Sequence, residues 1–322
     1  MKGAMIRVCI LAAALAVASP PAAAQDGAVR IVVGFPAGAT LDVMTRVIAE
    51  QMRATLGRPV IVENRPGAGG RIGNEVVKAA APDGMTLLMT PLATMSMYPH
   101  SFAGQLRYDP FTDFAPVAHA SSFQLGIGVG AGVPAASLAE YVALVKKDPK
   151  AGFYASAAAG SIPHFLGVMF ARTAGIEMTH VPYKGTAPAL QAVLAGEISA
   201  VSTVVADIAT LVKSGKARLL ATAGVKRDPQ FPDVPTFKEA GYDMEGEGWY
   251  GLFAPAMTPQ STVERVAAAT IGAVRDAATR AKLENMGLQP TGLGPAELAA
   301  IMKADYDKWG PVIRASGFKP AQ

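Results

Sequence analysis

The chain has 322 residues, of which 51% are apolar and 17% charged, with a formal net charge of +4; it is long enough for two domains of ordinary size and too apolar to stay disordered. Its Lys and Arg residues form no cluster or stripe, so no nucleic-acid partner is expected. A single cysteine, Cys9, excludes an intrachain disulfide.

Residues 1–24 read as a secretory leader. Lys2 and Arg7 give a positive start, 8–18 is an apolar run too short to cross a bilayer, and Ala22-Ala23-Ala24 is an A-x-A-like cleavage site. Its removal takes two of the 29 basic residues and no acid, leaving +2. Cys9 leaves too, so the mature chain has no thiolate metal site and no cysteine nucleophile. Cys9 lies early in the apolar run and away from the cleavage junction, which argues against a lipid anchor. No later run of about 18 apolar residues follows. A soluble, exported, periplasmic protein is expected, in a compartment that permits disulfides without requiring them.

After the leader, strand-like and helix-like segments alternate. Strands over 29–33, 60–63 and 86–89 are separated by helices over 41–56 and 73–80. Two strands, 114–120 and 125–129, lie close together and precede a helix over 138–147. A second alternating set follows: strand 152–155, helix 164–174, strand 178–181, helix 187–195, strand 198–205, helix 206–214, strand 218–223. After a strand over 248–253 the pattern is helical, over 262–278, 280–286 and 295–315. Two α/β lobes follow from this order, each a central sheet flanked by helices with a cleft between. Residues 25–122 and 246–322 are assigned to one and 123–245 to the other. The return segment, "DPQFPDVPTFKEAGYDMEGEG", is rich in Pro, Gly and acids, as a connector should be. The cleft is expected at the C-terminal ends of the strands.

Three strand-to-helix turns fall there. In "VGFPAGATLDV", Gly34 and Gly38 give backbone freedom and Thr40 is placed as N-cap, so the first N–H groups of the helix can hold an anion without a basic side chain. A plain connection with no ligand accounts for the same residues. In "YASAAAGSIPHF", Ser156 and Ser161 add hydroxyls and Gly160 allows close backbone approach. In "HVPYKGTAPAL", Lys184 can face an anion and Thr186 can cap the helix, although Lys184 also reads as a solvated surface lysine. Thr90 and Asp207 join the candidates from topology alone, Asp207 as an acceptor for an amino or hydroxyl group.

The segments "VGFPAGATLDVMTRVIAE", "VIVENRPGAGGRIGNEVV", "APDGMTLL", "YDPFTDFAPVA", "HVPYKGTAPALQAVLAGEI", "FPDVPTFKEAG" and "WYGLFAPAMTP" occur in an order and spacing that resembles the substrate-binding receptors of tripartite tricarboxylate transporters, the Bug or TctC-like family. The resemblance covers the chain from about Ile31 onward. It implies a two-lobed periplasmic binding protein of type II-like fold that captures small organic acids and hands them to a permease with a large and a small membrane subunit. By motif, the first carboxylate-binding turn matches Phe35, Pro36, Ala37, Gly38, Ala39, Thr40 and Asp42. The second matches Ser156, Ala159, Gly160, Ser161 and His164, and the Tyr-Lys-Gly element matches Tyr183, Lys184 and Gly185. This chain has Gly38-Ala39 where the family usually has Gly-Gly, and "SAAAGS" in a turn usually richer in Gly; both changes tighten the pocket. No cofactor, no metal and no catalysis are expected, and a monomer is.

Other chemistry fits less well. "NRPGAGGRIG" places Ile72 where a dinucleotide fingerprint needs its third glycine, and the next strand ends without an acid. It reads as a tight structural turn held by Asn64 and Arg65. Ser161 and His164 lack a nucleophile elbow, yet an exported hydrolase using them, with Lys184, stands as an alternative, as does a ligand-sensing input to a membrane receptor. His100 and His119 have no metal-ligand spacing. Trp249 and Trp309 read as core, with a cleft-wall role open for Trp249.

Overall fold

A computed structural model describes residues 27–320; the leader falls outside them. In chain order the first lobe begins with β1 (Val29–Val33), α1 (Thr40–Leu56), β2 (Val60–Asn64), α2 (Arg71–Lys78), β3 (Thr86–Pro91), α3 (Tyr98–Ser101) and β4 (Phe114–Phe123). Then come β5 (Leu125–Gly130), α4 (Leu138–Lys147), β6 (Phe153–Ser156), α5 (Ile162–Ala174), β7 (Thr179–Pro182), α6 (Thr186–Leu194), β8 (Ala200–Val204), α7 (Val205–Lys213) and β9 (Ala217–Thr222). The chain closes with β10 (Gly248–Pro255), α8 (Gln260–Arg275), α9 (Ala277–Asn285), β11 (Gln289–Leu293) and α10 (Pro295–Ala315).

The strands form a six-stranded sheet in the order β11-β4-β10-β3-β1-β2 and a five-stranded sheet in the order β7-β6-β8-β5-β9. The parallel strands β1, β2 and β3 and the parallel set β6, β7 and β8 each send their C-terminal ends toward the other lobe's counterpart. In β1 only Arg30 is exposed, as expected for a strand covered on both faces. Its helix α1 buries Leu41, Met44, Thr45, Ile48, Ala49 and Met52, one stripe at helical period, and stops at Gly57 in the left-handed conformation.

Only Gln124 separates β4 from β5, so one strand runs almost directly into the other lobe's sheet. The return strand passes beside it: Ala223 N–H donates to Leu125 O at 2.7 Å and Gly246 N–H to Ala223 O at 2.9 Å. The buried Gln124 amide donates to Lys226 O at 2.8 Å, and a Cβ at Gly224 would collide with it. The two crossings therefore form one narrow, hydrogen-bonded waist. A continuous apolar core runs through it from the first sheet to α5 and Phe237, with a smaller core cluster around Val201 and Ile208 in the second lobe.

Three expectations change. The segment 262–278 is not one helix: α8 ends at Arg275 because the Asp276 carboxylate accepts Thr279 N–H at 2.9 Å and starts α9. The 289–293 strand, β11, was not anticipated. Nor was the wide helical turn at Ala93–Met97 that follows β3.

Candidate functional site

Where the strand ends face each other lies a cavity of about 380 Å³, walled by Phe35, Ala39, Thr40, Tyr98 and Tyr250 from the first lobe and by Ala158, Ser161, Ile162 and Val204 from the second. Other grooves are as large or larger: about 670 Å³ around residues 130–134 and 193–199, about 400 Å³ between 228–230 and 280–289, and about 390 Å³ beside Met169, Arg172 and Asp243. None of these sits at the N-termini of α1 and α5, which is why the interlobe cavity is the candidate.

The α1 turn is held from behind. Gly38, at φ +83°, donates its N–H to Asp42 Oδ2 at 2.8 Å. Asn64 Nδ2 donates to Asp42 Oδ1 at 2.9 Å and to Phe35 O at 3.1 Å, and Arg46 pairs with the same carboxylate at 2.9 Å. Burial alone would raise the Asp42 carboxyl; the bonds from Arg46, Gly38 and Asn64, with the Arg46 charge, outweigh it and hold the group below its ordinary range. Asp42 is therefore a turn-holding residue beneath the cavity and not a wall of it. Thr40 is not the N-cap: Ala39 holds that place with no side-chain bond, and Thr40 is the first helical residue. The first bond of α1 runs from Val43 N–H to Ala39 O, so the N–H groups of Thr40, Leu41 and Asp42 have no intrahelical acceptor. Pro36, Ala37 and Gly38 are exposed at the lip. A Cβ on Gly34 would stand 2.5 Å from Gly70 O, and one on Gly73 2.7 Å from Gly34 Cα. The "NRPGAGG" segment thus packs backbone to backbone under β1 and fixes Phe35.

The α5 turn is built differently. Ser161 caps the helix, accepting His164 N–H at 3.3 Å and donating to Ala158 O at 2.7 Å. Pro163 supplies no N–H. His164 lies behind the turn: its Nδ1 accepts the Gly160 N–H at 3.0 Å, which removes Gly160 as a donor to a ligand. Its ring stacks on His180 at 3.9 Å, and His180 Nε2 bonds Ser156 Oγ at 2.7 Å. Burial lowers His164 to about 4; burial and the neighbouring His164 lower His180 to about 3. Both rings stay neutral near pH 7. Ser156 is fully buried, so it supports the turn from within and does not line the cavity. Ser161 Oγ meets a carbonyl and an amide, with no imidazole acceptor, so the anticipated nucleophile and base are not paired. Ala159 is exposed outside the cavity.

The third turn is stitched to the second, with Tyr183 N–H on Ser156 O and Gly185 N–H on Ala157 O, both at 2.9 Å. Tyr183 packs on the smaller core and Lys184 is exposed; neither walls the cavity. Thr186 does not cap α6, whose N-cap is Gly185; its hydroxyl donates to Asp207 Oδ2 at 3.2 Å. Asp207 is exposed and, like Thr186, does not wall the cavity; partial desolvation by the surrounding protein raises its carboxyl despite the Thr186 bond. Thr90 is buried one layer below, bonded to Asn74 and Thr94.

The aromatic walls Tyr98, Phe123 and Tyr250 escaped the sequence reading, which singled out Trp249. On a strand successive side chains face opposite ways. Trp249 bonds Asp305 at 2.7 Å on one side while Tyr250 takes the cavity side.

Residues 44–318 match the family model described as "Tripartite tricarboxylate transporter family receptor". The chain belongs to this family. It is 32% identical over 315 residues to the UPF0065 protein of the gbd 5' region of Cupriavidus necator, covering 96% of this chain and 95% of that protein. It is 29% identical over 292 residues to protein BugT of Bordetella pertussis, covering 90% of each. Among solved structures, MatC of Rhodopseudomonas palustris with bound malate superimposes with a TM-score of 0.76 at 32% identity over 89% of this chain and 98% of that one. An R. palustris protein with adipate superimposes with a TM-score of 0.80 at 28% identity over 91% and 98%. This TctC receptor thus shares the two-lobed α/β fold of periplasmic solute-binding proteins, a family of binders and not of enzymes. Ala39, just before α1, walls the cavity.

Proposed function

We propose that this TctC receptor is exported by its leader to the periplasm, captures a small organic carboxylate in the interlobe cavity, and delivers it to a membrane permease of large and small subunits. One observation carries the reading: the N-termini of α1 and α5 open on one cavity whose walls carry no Lys or Arg. The unbonded N–H groups of Thr40, Leu41 and Asp42 supply donors and partial positive charge on one side, and the Ser161–Ile162 backbone supplies them on the other. Phe35, Tyr98 and Tyr250 contact the carbon skeleton. Structures of relatives with malate and adipate support an organic acid as the ligand. A thermal-shift screen over mono-, di-, amino and aromatic acids tests it. A true ligand at a hundredfold over its Kd adds about 2.7 kcal/mol of stability, is recovered unchanged, and binds one to one. A panel without any shift, or turnover of a carboxylate ester, overturns the reading.

A further inference from the structure

Resting on the carboxylate reading, we propose that the cleft is built for a monocarboxylic acid with a flat aromatic body, and that it rejects acids carrying a second carboxylate. Donors are few where the two helices meet the cavity. On α1 the N–H groups of Thr40, Leu41 and Asp42 have no acceptor among the described residues. On α5 the Gly160 N–H goes to His164 Nδ1 and the His164 N–H to Ser161 Oγ. Pro163 has no N–H, so only those of Ser161 and Ile162 remain at that end. The two oxygens of one carboxylate accept about four hydrogen bonds. The helix ends together therefore complete the shell of a single carboxylate and leave almost nothing for another.

Away from the helix ends the walls offer little to a charge. None of the described residues that wall the cavity is charged. Tyr98 donates its hydroxyl to Gly69 O at 3.1 Å and Ser161 to Ala158 O at 2.7 Å. Thr40 stands at the α1 end itself, which leaves the Tyr250 phenol as the wall hydroxyl without a partner elsewhere among the described residues. A second carboxylate would exchange its water for that one neutral group, and a charge buried with so little in return is costly. The rest of the wall is apolar, flat and stiff. Phe123 and Tyr250 lie with ring centroids 4.7 Å apart at 34°. The Phe35 ring lies so near Gly70 that a Cβ there would stand 2.8 Å from it. Tyr98 is held by its Gly69 bond and by Phe102, edge-on at 4.9 Å. From the second lobe come Ile162, Pro163 and Val204, side chains with little rotamer freedom. Such walls favour a rigid ring, which stacks on aromatic faces and loses no rotamer freedom on entry, over a chain that does.

Titration calorimetry at neutral pH with 4-methylbenzoate, terephthalate, hexanoate and adipate tests body and second carboxylate separately, because the acids form two pairs of equal carbon count. The wild-type protein should bind 4-methylbenzoate at least tenfold more tightly than terephthalate or adipate, and more tightly than hexanoate. Val204→Lys, which sets a cation on the wall, should narrow the ratio of 4-methylbenzoate to terephthalate affinity at least fivefold. Tyr250→Leu, which takes one ring from the wall, should weaken 4-methylbenzoate more than hexanoate. Urea unfolding of the ligand-free variants checks that they are folded, and the wild-type comparison decides the matter even where one is not. Wild-type preference for terephthalate or adipate overturns the inference and leaves the carboxylate reading standing. Preference for hexanoate overturns the aromatic body. A ratio that a folded Val204→Lys leaves unmoved overturns the uncharged wall as the cause of rejection. Binding of no acid in this set or in the wider screen overturns both readings.

Discussion

Asp42 shows how one buried charge can shape a binding turn without touching what binds. It collects Gly38, Asn64 and Arg46, and so pins by its N–H the glycine whose positive φ makes the bend. Replacing Asp42 with Asn keeps the size, removes the charge facing Arg46 and leaves an amide opposite the Asn64 amide. A loss of about 1–3 kcal/mol is expected, the range for a buried donor deprived of its partner, read as a lower urea midpoint at unchanged slope. The native carboxyl is depressed below its ordinary 3.8. The stability it adds is therefore complete above that value and fades as pH falls through the native one. The gap between wild type and Asp42→Asn should be widest at neutral pH and narrow in acid below about pH 4; a gap that widens there contradicts the assignment. Sequence gave the turn residues by pattern, yet it could not tell wall from support. Ser156, His164 and Asp42 are polar residues in a polar-looking turn, and only the packing of His164 on His180 and of Asp42 on Asn64, partners 16 and 22 residues away in the chain, turns them inward.

Among elements, the strand–turn–helix units were legible because their apolar periods switch from two to 3.6 within a few residues. The cap positions were not. A Thr before an apolar stripe reads as a cap, but Thr40 is already the first helical residue, with Ala39 at the cap, and Thr186 spends its hydroxyl on a residue 21 positions away. Strand β11, with Pro290 and Gly292 in five residues, carries a loop's composition and becomes a strand only by pairing with β4 at Gln289 and Pro290. The proposed anion site on α1 is itself an element-level property and can be tested as one. Thr40 is at the first helical position, and Ala39 before it is extended at φ −69°, ψ 157°, a conformation that the residue preceding proline favours. Thr40→Pro should therefore leave the helix intact, since the first helical position tolerates proline, while deleting one N–H aimed at the carboxylate. Bonds to charged groups contribute about 1.5–3 kcal/mol, so affinity for the acid should fall by roughly 10- to 150-fold with the unfolding midpoint nearly unchanged. Thr40→Ala, which keeps the N–H, should bind close to wild type. Equal losses in both variants would assign the effect to the side chain and remove the helix N-terminus from the site.

At the scale of the whole molecule the two lobes are joined by the waist at Gln124 and by a second tie at the far end of the chain. Helix α10, which belongs to the first lobe, also packs on α5 of the second. Just beyond it, Phe318 lays its ring against His164 at 5.7 Å and Phe165 at 5.5 Å in the second lobe and faces Phe102 of the first at 6.5 Å. It also rests on the binding turn itself, where a Cβ on Gly160 would come within 2.9 Å of the ring. A hinge motion at the waist must either break this aromatic contact or carry the tail with the second lobe. Phe318 is half-buried, and full burial of a Phe side chain contributes about 1.5–3 kcal/mol, so the contact is worth about 1–2 kcal/mol. A loss of that size changes a two-state ratio by a factor of about 5–30. If the contact holds the lobes together, Phe318→Ala should shift the ligand-free protein toward a more open form, seen as a larger radius of gyration in solution scattering. Saturating ligand should restore the wild-type radius. The apparent affinity should weaken in step, because only the competent fraction binds tightly. An unchanged radius with unchanged affinity would show that the tail travels with the second lobe and that the waist alone sets the closure equilibrium.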